Sequence, residues 1–94
     1  MFIDEAKANN ESYENLLNLL GYKLMAKGDM DGAEKVFLDY IKAYPKGYNA
    51  YDSMGEYYLK NKMNESAEDM YMKALEKYRF ANNARNVIGK MKKQ

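Results

Sequence analysis

The sequence contains no cysteine, no histidine and no tryptophan, and it has a single proline. Without cysteine the chain forms no disulfide and offers no thiolate for catalysis or metal binding. Without histidine it lacks the commonest general base and the commonest metal ligand. We therefore expect a chain that is not an enzyme and that has no metal site and no cofactor.

The sequence also lacks a strong charge of either sign and a long hydrophobic run. Its net charge is +1, from 15 basic and 14 acidic residues, so no general attraction to nucleic acid or to a membrane is predicted. No apolar stretch approaches the roughly 18–20 residues of a membrane span. The start M-F-I-D-E-A-K has acids where an export signal has positive charges. A complete chain is expected in the cytoplasm, and a periplasmic location stays open for a fragment.

What the sequence does contain is a repeat of 34 residues. Gly21 recurs at Gly55 and again at Gly89. Other pairs with the same spacing are Asn15 and Asn49, Leu20 and Met54, Ala33 and Ala67, Glu34 and Glu68, Phe37 and Tyr71, and Tyr44 and Tyr78. Self-similarity at this fixed period is typical of stacked helix–turn–helix units.

Apolar residues recur with helical periodicity throughout and never alternate with period two, which predicts an all-α fold. The predicted helices span 11–27, 30–44, 48–61, 65–78 and 83–92. Gly28 is predicted to end the first helix, and Asp29 is predicted to cap the second. Pro45 follows the end of the second helix, and Asn64 is predicted to cap the fourth. Short loops predict antiparallel neighbours, and we expect about five helices in a short right-handed superhelix.

The apolar positions of each helix are the predicted core. The second helix is expected to bury Ala33, Val36, Phe37, Tyr40 and Ile41, and the third helix Tyr51, Met54, Gly55 and Tyr58. The fourth helix is expected to bury Ala67, Met70, Tyr71, Ala74 and Leu75, and the fifth helix Ala84, Val87, Ile88 and Met91. The first helix is expected to bury Leu16, Leu17, Leu20 and Leu24. Gly21 and Gly55 are predicted to let each first helix of a pair approach its partner closely.

Residues 1–12 allow two interpretations. Ile3 lies 34 positions before Phe37, and Ala6 lies 34 before Tyr40, so the segment matches the remnant of a preceding repeat. The alternative is a chain start without a structural role.

The repeat resembles the tetratricopeptide repeat (TPR) family. The first unit reads L-L-N-L-L-G-Y-K-L-M-A-K-G-D, then A-E-K-V-F and Tyr44-Pro45. The second reads Y-D-S-M-G-E-Y-Y, then A-E-D-M-Y-M-K-A-L-E. The resemblance implies one repeat over 13–47, a second over 48–81 and a capping helix over 82–94. Tyr40 and Arg79 depart from the family pattern, which mostly has alanine and proline at these positions.

The resemblance implies a non-catalytic interaction module that binds a peptide or a partner helix in a concave groove. By register, the groove residues are Asn15, Asn18, Tyr22, Asn49, Asp52, Glu56, Asn83, Asn86 and Lys90. The run Y-P-K-G-Y-N-A-Y-D-S-M-G-E-Y-Y is also similar to short TPR tails of bacterial hydrolases and β-lactamase-like proteins. The alternative is therefore an accessory domain of a larger protein.

Asparagine side chains in the groove offer both donors and acceptors to a peptide backbone. The alternative for Asn15, Asn49 and Asn83 is the general preference for asparagine near helix starts. Asp52 and Glu56 lie one turn apart, and their charge disfavours binding of a carboxylate. Acid–base catalysis or a cation site at this pair lacks a histidine or a third acid, and Ser53 lacks a base to activate it.

Charge is distributed unevenly between the two ends of the sequence. From Arg79 onward there are five basic residues and no acidic one, whereas the first twenty residues contain four acids and one lysine. We interpret the basic residues as the solvated surface of the last helix, with contact to nucleic acid or lipid as the alternative. Oppositely charged ends also allow head-to-tail contact, so the chain is expected to be a monomer or a weak homo-oligomer.

Overall fold

The computed structural model describes residues 10–92. In this range the chain forms five α helices and no strand: α1 Asn10–Ala26, α2 Met30–Ala43, α3 Asn49–Lys60, α4 Asn64–Lys77 and α5 Asn82–Lys92. The predicted all-α fold is confirmed, and every helix end lies within one residue of the predicted one. None of these helices is long and apolar enough to cross a membrane.

The helices pack as hairpins in chain order. The closest packing is between α1 and α2 and between α3 and α4, while α2 contacts α3 and α4 contacts α5. The two hairpins therefore stack side by side, and α5 packs against the second one. The result is elongated, with extents of 50 × 30 × 16 Å.

The core consists of two clusters, one for each hairpin and its neighbour. The first contains Met25, Ala33, Phe37, Tyr40, Ala50, Met54 and Tyr57, and the second contains Ala67, Tyr71, Ala74, Ala81, Ala84 and Ile88. Most of the predicted inward positions on α2 to α5 are buried in these clusters or packed against them. Tyr40 is buried with its hydroxyl donating to Glu14 Oε2 over 2.8 Å.

Two glycines allow each hairpin to close over an aromatic ring. A Cβ atom at Gly21 would collide with the ring of Phe37, and one at Gly55 would lie 2.8 Å from Cζ of Tyr71. The predicted role of both glycines in close helix approach is confirmed. At Gly89, the third repeat position, no described atom comes within 4 Å of the same point.

The turn between α1 and α2 follows the prediction, whereas the turn between α3 and α4 does not. Gly28 has φ +87°, and the Asp29 side chain caps α2 by accepting from the Gly32 amide over 3.0 Å. In the second turn Lys62 has φ 62°, and the N-cap residue of α4 is Met63, without a side-chain cap. The predicted cap at Asn64 is therefore wrong, because Asn64 is already the first helical residue.

The prediction for α1 is wrong at two of its four leucines. Leu17 and Leu24 pack against the first core cluster, but Leu16 and Leu20 are 58% and 43% exposed. The physical reason is the position of α1 in the stack: no helix of the described range packs on this side of it. The interpretation of residues 1–9 as part of a preceding repeat lies outside the described residues, while 10–12 form the first turn of α1.

Candidate functional site

The first helix of each hairpin and α5 carry the predicted groove residues, and we call this surface the A-helix face. It is organised in three rows that follow the repeat. The rows are Asn15, Asn49 and Asn83; then Asn18, Asp52 and Asn86; then Tyr22, Glu56 and Lys90. Because these positions recur every 34 residues, equivalent side chains occupy the same face of α1, α3 and α5.

A partly buried hydrogen bond joins α1 to α3 in the middle row. The Ser53 hydroxyl donates to Oδ1 of Asn18 over 2.5 Å, and Ser53 is 5% exposed. Ser53 was not predicted as a site residue. The sequence offers one sign of its role: Ser53 is polar, whereas the equivalent repeat positions are apolar, with Leu19 in α1 and Val87 in α5.

A second polar contact joins α3 to α5. Nδ2 of Asn83 lies 3.0 Å from both carboxylate oxygens of Asp52. Burial raises the pKa of the Asp52 carboxyl, the hydrogen bond from Asn83 opposes this rise, and the charge of Glu56 adds to it. Asp52 is therefore a half-buried carboxylate whose charge is only partly compensated by its neighbours.

Tyr22 lies on α1 at the contact between the two hairpins. Its ring meets the ring of Phe37 edge to face, with centroids 5.4 Å apart. Burial raises the pKa of Tyr22 to about 12, an effect that its hydrogen bond with Ser53 opposes and that the carboxylates of Glu56 and Asp52 reinforce. The phenol therefore stays protonated at neutral pH and presents a neutral hydroxyl beside two acids.

The charges of the same two acids, Asp52 and Glu56, also affect the pKa of the buried Tyr71. Burial raises the pKa of Tyr71, and the charges of Asp52 and Glu56 raise it further. Both carboxylates thus lie near the second core cluster as well as near solvent. A negative charge in this setting is screened less by water than one on an open helix surface.

A small pocket opens between α1 and α3 on this face. It has a volume of about 210 Å³ and is lined by Tyr22, Met25, Ala26, Glu56 and Lys60. Its walls combine an aromatic ring, a thioether and a methyl group with one carboxylate and one ammonium group. Such a pocket suits a side chain with an apolar stem and a polar end.

The remaining predicted residues are exposed and separate from these contacts. Asn15, Asn49, Asn86 and Lys90 are exposed, and no hydrogen bond joins any of them to another side chain of the described residues. With regard to the preference of asparagine for helix starts, Asn49 is the first residue of α3 and Asn83 is the second residue of α5. Asn15 lies in the second turn of α1, Tyr48 is the N-cap residue of α3, and the Asn83 side chain donates to Asp52.

The side chains of the face carry hydrogen-bonding groups and charge. Within residues 10–92 no group of three or more potential metal-binding residues occurs. The hydrogen-bonding side chains of the face include two acids, amides on three helices and a tyrosine hydroxyl, all of which are groups that accept or donate hydrogen bonds. Asp52 and Glu56 place negative charge in the middle of the face.

The fold and this face define an all-α protein of stacked helical hairpins with a polar face on the first helix of each pair. No protein-family model and no curated protein matches the chain. Membership of the TPR family therefore stays a prediction based on the 34-residue pattern.

Proposed function

We propose that the chain is a non-catalytic, TPR-like interaction module whose A-helix face binds a peptide or partner helix that presents a lysine or arginine. The observation that supports this most directly is the pair of acids, Asp52 and Glu56, in the middle of the face. Burial raises the pKa of Asp52, so its carboxylate gains from the approach of an opposite charge.

The binding mode follows from the order of the rows. A cationic side chain of the partner meets Asp52 and Glu56, and its methylene groups lie against the ring of Tyr22 in the 210 Å³ pocket. Charge-assisted hydrogen bonds of this kind are stronger than neutral ones. The exposed amides of Asn15 and Asn49, in the first row, then pair with the peptide backbone next to this position.

The same acids disfavour another well-known class of ligand for helical-repeat grooves. A C-terminal carboxylate at this position would face two negative charges in a partly dehydrated setting, which costs free energy. Peptides that end in a free carboxylate are therefore expected to bind no better than their amidated forms.

The proposal is tested by selecting peptides that bind the folded chain from a random library and measuring their affinities by calorimetric titration. We expect the selected peptides to share a lysine or arginine at one position. We expect the double variant Asp52→Asn, Glu56→Gln to bind them about tenfold or more weakly, and added salt to weaken wild-type binding.

The matched control is Asp39→Asn with Glu68→Gln, which removes two acids from α2 and α4 instead of α3. This control should bind the selected peptides as the wild type does. Selected peptides without a basic position, or equal binding by the two double variants, would exclude the proposed site.

The accessory-domain alternative makes a different prediction about the native polypeptide. The chain itself has a mass of 11.0 kDa. An antibody against the folded chain should detect a band of this size in source-cell extract if it acts alone, and a much larger band if it is attached to a hydrolase-like protein.

A further inference from the structure

A second pocket lies at the corner where α4 ends and α5 begins, and the proposed function does not use it. It has a volume of about 330 Å³ and is lined by Leu75, Arg79, Phe80 and Arg85. We call these four residues the arginine corner. Leu75 and Phe80 provide an apolar wall, and the two arginines provide positive charge. None of the four belongs to the A-helix face, so this pocket is separate from the proposed peptide site.

The equivalent corner between α2 and α3 is bridged by contacts within the chain. Pro45 and Tyr51 stand at the repeat positions of Arg79 and Arg85. The Tyr51 hydroxyl donates to the carbonyl oxygen of Pro45 over 3.2 Å, and Nζ of Lys77 lies 5.7 Å from the centroid of the Tyr51 ring. At the second corner an arginine replaces each member of this hydrogen-bonded pair, so the same bridge cannot form there.

The two arginines have no acidic partner in the part of the chain that the structure describes. Neither guanidinium forms an ion pair with a carboxylate of residues 10–92. From Arg79 onward the sequence contains no aspartate or glutamate. Two positive charges on the walls of one pocket repel each other. An anion between Arg79 and Arg85 would remove this repulsion and would accept charge-assisted hydrogen bonds from both.

The ring of Phe80 is held at the pocket with much of its surface in solvent. Phe80 is 53% exposed, and the Tyr78 ring meets it edge to face with centroids 5.7 Å apart. The guanidinium of Arg79 lies 5.0 Å from the centroid of Phe80. The Ala81 amide closes the turn by donating to the Tyr78 carbonyl over 3.0 Å, and Ala81 is itself buried. The buried Ala81 therefore fixes a turn that presents an aromatic surface beside two arginines.

The combination of charge and apolar surface favours an acidic peptide over a nucleic acid. A carboxylate pairs with a guanidinium through two parallel hydrogen bonds, and an apolar side chain beside that carboxylate fits the wall of Leu75 and Phe80. Binding of a nucleic-acid strand instead requires a basic groove along its backbone and aromatic rings for successive bases. The net charge is only +1, and Phe80 is the one aromatic residue that lines this pocket.

We propose that the arginine corner binds an acidic segment of a partner protein, in which a large apolar residue stands next to aspartate or glutamate. The apolar side chain enters the pocket against Leu75 and Phe80, and the carboxylates pair with Arg79 and Arg85. This site does not depend on the proposed function, since it shares no residue with the A-helix face and its ligand carries the opposite charge.

Titration of the isotope-labelled chain with short synthetic peptides, followed by NMR, tests the site. The probe has one phenylalanine between pairs of glutamates, and the comparison peptide has glutamines in place of the glutamates. We expect the probe to shift the amide signals of residues 75–85. It should bind about tenfold or more tightly than the comparison peptide, because only the probe forms charge-assisted hydrogen bonds. The double variant Arg79→Gln, Arg85→Gln should lose this preference.

The matched control is Lys35→Gln with Lys42→Gln, which removes two positive charges from α2 and should bind the probe as the wild type does. A second variant, Arg79→Pro with Arg85→Tyr, gives this corner the residues of the first. Tyr78, the residue before the new proline, has φ −156° and ψ 103°, an extended conformation that a following proline allows. This variant should keep the wild-type circular dichroism spectrum and lose binding of the probe.

Three results would overturn the proposal. The first is equal binding of the probe and the comparison peptide, or no shift at residues 75–85. The second is a loss of binding in the lysine control as large as in the double arginine variant. The third is tighter binding of single-stranded oligothymidylate than of the probe, which would assign the arginine corner to nucleic acid.

Discussion

The two helical hairpins have the same geometry but different chemistry at their turns. In the α1–α2 turn, Gly28 adopts the left-handed conformation and Asp29 caps the next helix. In the α3–α4 turn, the equivalent residues are Lys62, with φ 62°, and Met63, which provides no side-chain cap. The second turn therefore forms without either of the local signals that favour the first.

This difference shows that packing of the helices, more than turn chemistry, determines where each hairpin bends. Both hairpins close over an aromatic ring that lies against a glycine, Phe37 on Gly21 and Tyr71 on Gly55. Burial of such a ring contributes several kcal/mol, more than the roughly 1–2 kcal/mol that a left-handed lysine costs. The second hairpin thus tolerates a strained turn because its core is well packed.

The largest expected effect is on the shared glycine contact. Gly21→Ala and Gly55→Ala should each lower the free energy of unfolding by about 1–3 kcal/mol, because the new methyl group collides with a buried ring. Urea unfolding followed by circular dichroism measures the change. Gly89→Ala is the matched control and should instead raise stability by about 0.5–1 kcal/mol, since its methyl group meets nothing and alanine favours the helix. A loss of stability in Gly89→Ala would contradict the open position there.

The next largest effect on stability is expected from substitution of the residue that has a left-handed backbone conformation in each turn. Gly28→Lys gives the first turn the residue of the second and should cost about 1–2 kcal/mol. The reverse change, Lys62→Gly, should stabilise the chain by about 0.5–1 kcal/mol, reduced by the greater freedom of glycine in the unfolded chain. Urea unfolding of both variants tests the pair. Equal and negligible changes would show that the two turns differ in no way that matters for stability.

The N-cap residue is the third feature that substitutions can exchange between the two turns. Asp29→Ala removes the bond to the Gly32 amide and should cost about 1 kcal/mol. Met63→Asp gives α4 the same cap and should add about 0.5–1 kcal/mol, because the new carboxylate reaches the Ser66 amide at the equivalent spacing. Thermal unfolding at neutral pH measures both, and Met63→Asn is the uncharged control. If Met63→Asp lowered the melting temperature, the turn geometry assigned to Met63 would be wrong.

The smallest expected effect concerns the acid that distinguishes the second hairpin, since Asp52 stands where the first has Asn18. Burial raises the pKa of Asp52 above its usual value of 3.8, so the folded chain binds this proton more tightly than the unfolded one. Stability is therefore lost as the pH rises through the raised pKa. Asp52→Asn should become more stable relative to the wild type between pH 3 and pH 7.

Urea unfolding at several pH values tests this sign. Asn83→Ala removes the hydrogen bonds that hold the pKa of Asp52 down, so this variant should lose more stability than the wild type over the same pH range. A relative stability of Asp52→Asn that falls as the pH rises would show that the carboxylate is stabilised by its surroundings, which would also weaken the case for a cationic ligand.

Much of the candidate site could be predicted because it follows the repeat. The 34-residue period places Asn18, Asp52 and Asn86 in one row without knowledge of the tertiary structure. The same reasoning missed Ser53, because a serine between apolar positions gives no sign of a partner on another helix. It also could not predict that the side chain of Asn83 donates a hydrogen bond to Asp52, since that bond depends on how closely α5 approaches α3.

The sequence by itself determined the all-α fold, the helix bounds to within one residue and the close approach of the helices at Gly21 and Gly55. These features depend on local periodicity and on residues a fixed distance apart, and both are readable in one chain. Only the tertiary structure decided that Leu16 and Leu20 are exposed, that Lys62 is left-handed, and that Ser53 bonds to Asn18. Each of these depends on which helix lies next to a given surface, and identical helical patterns are buried or exposed according to that neighbour alone.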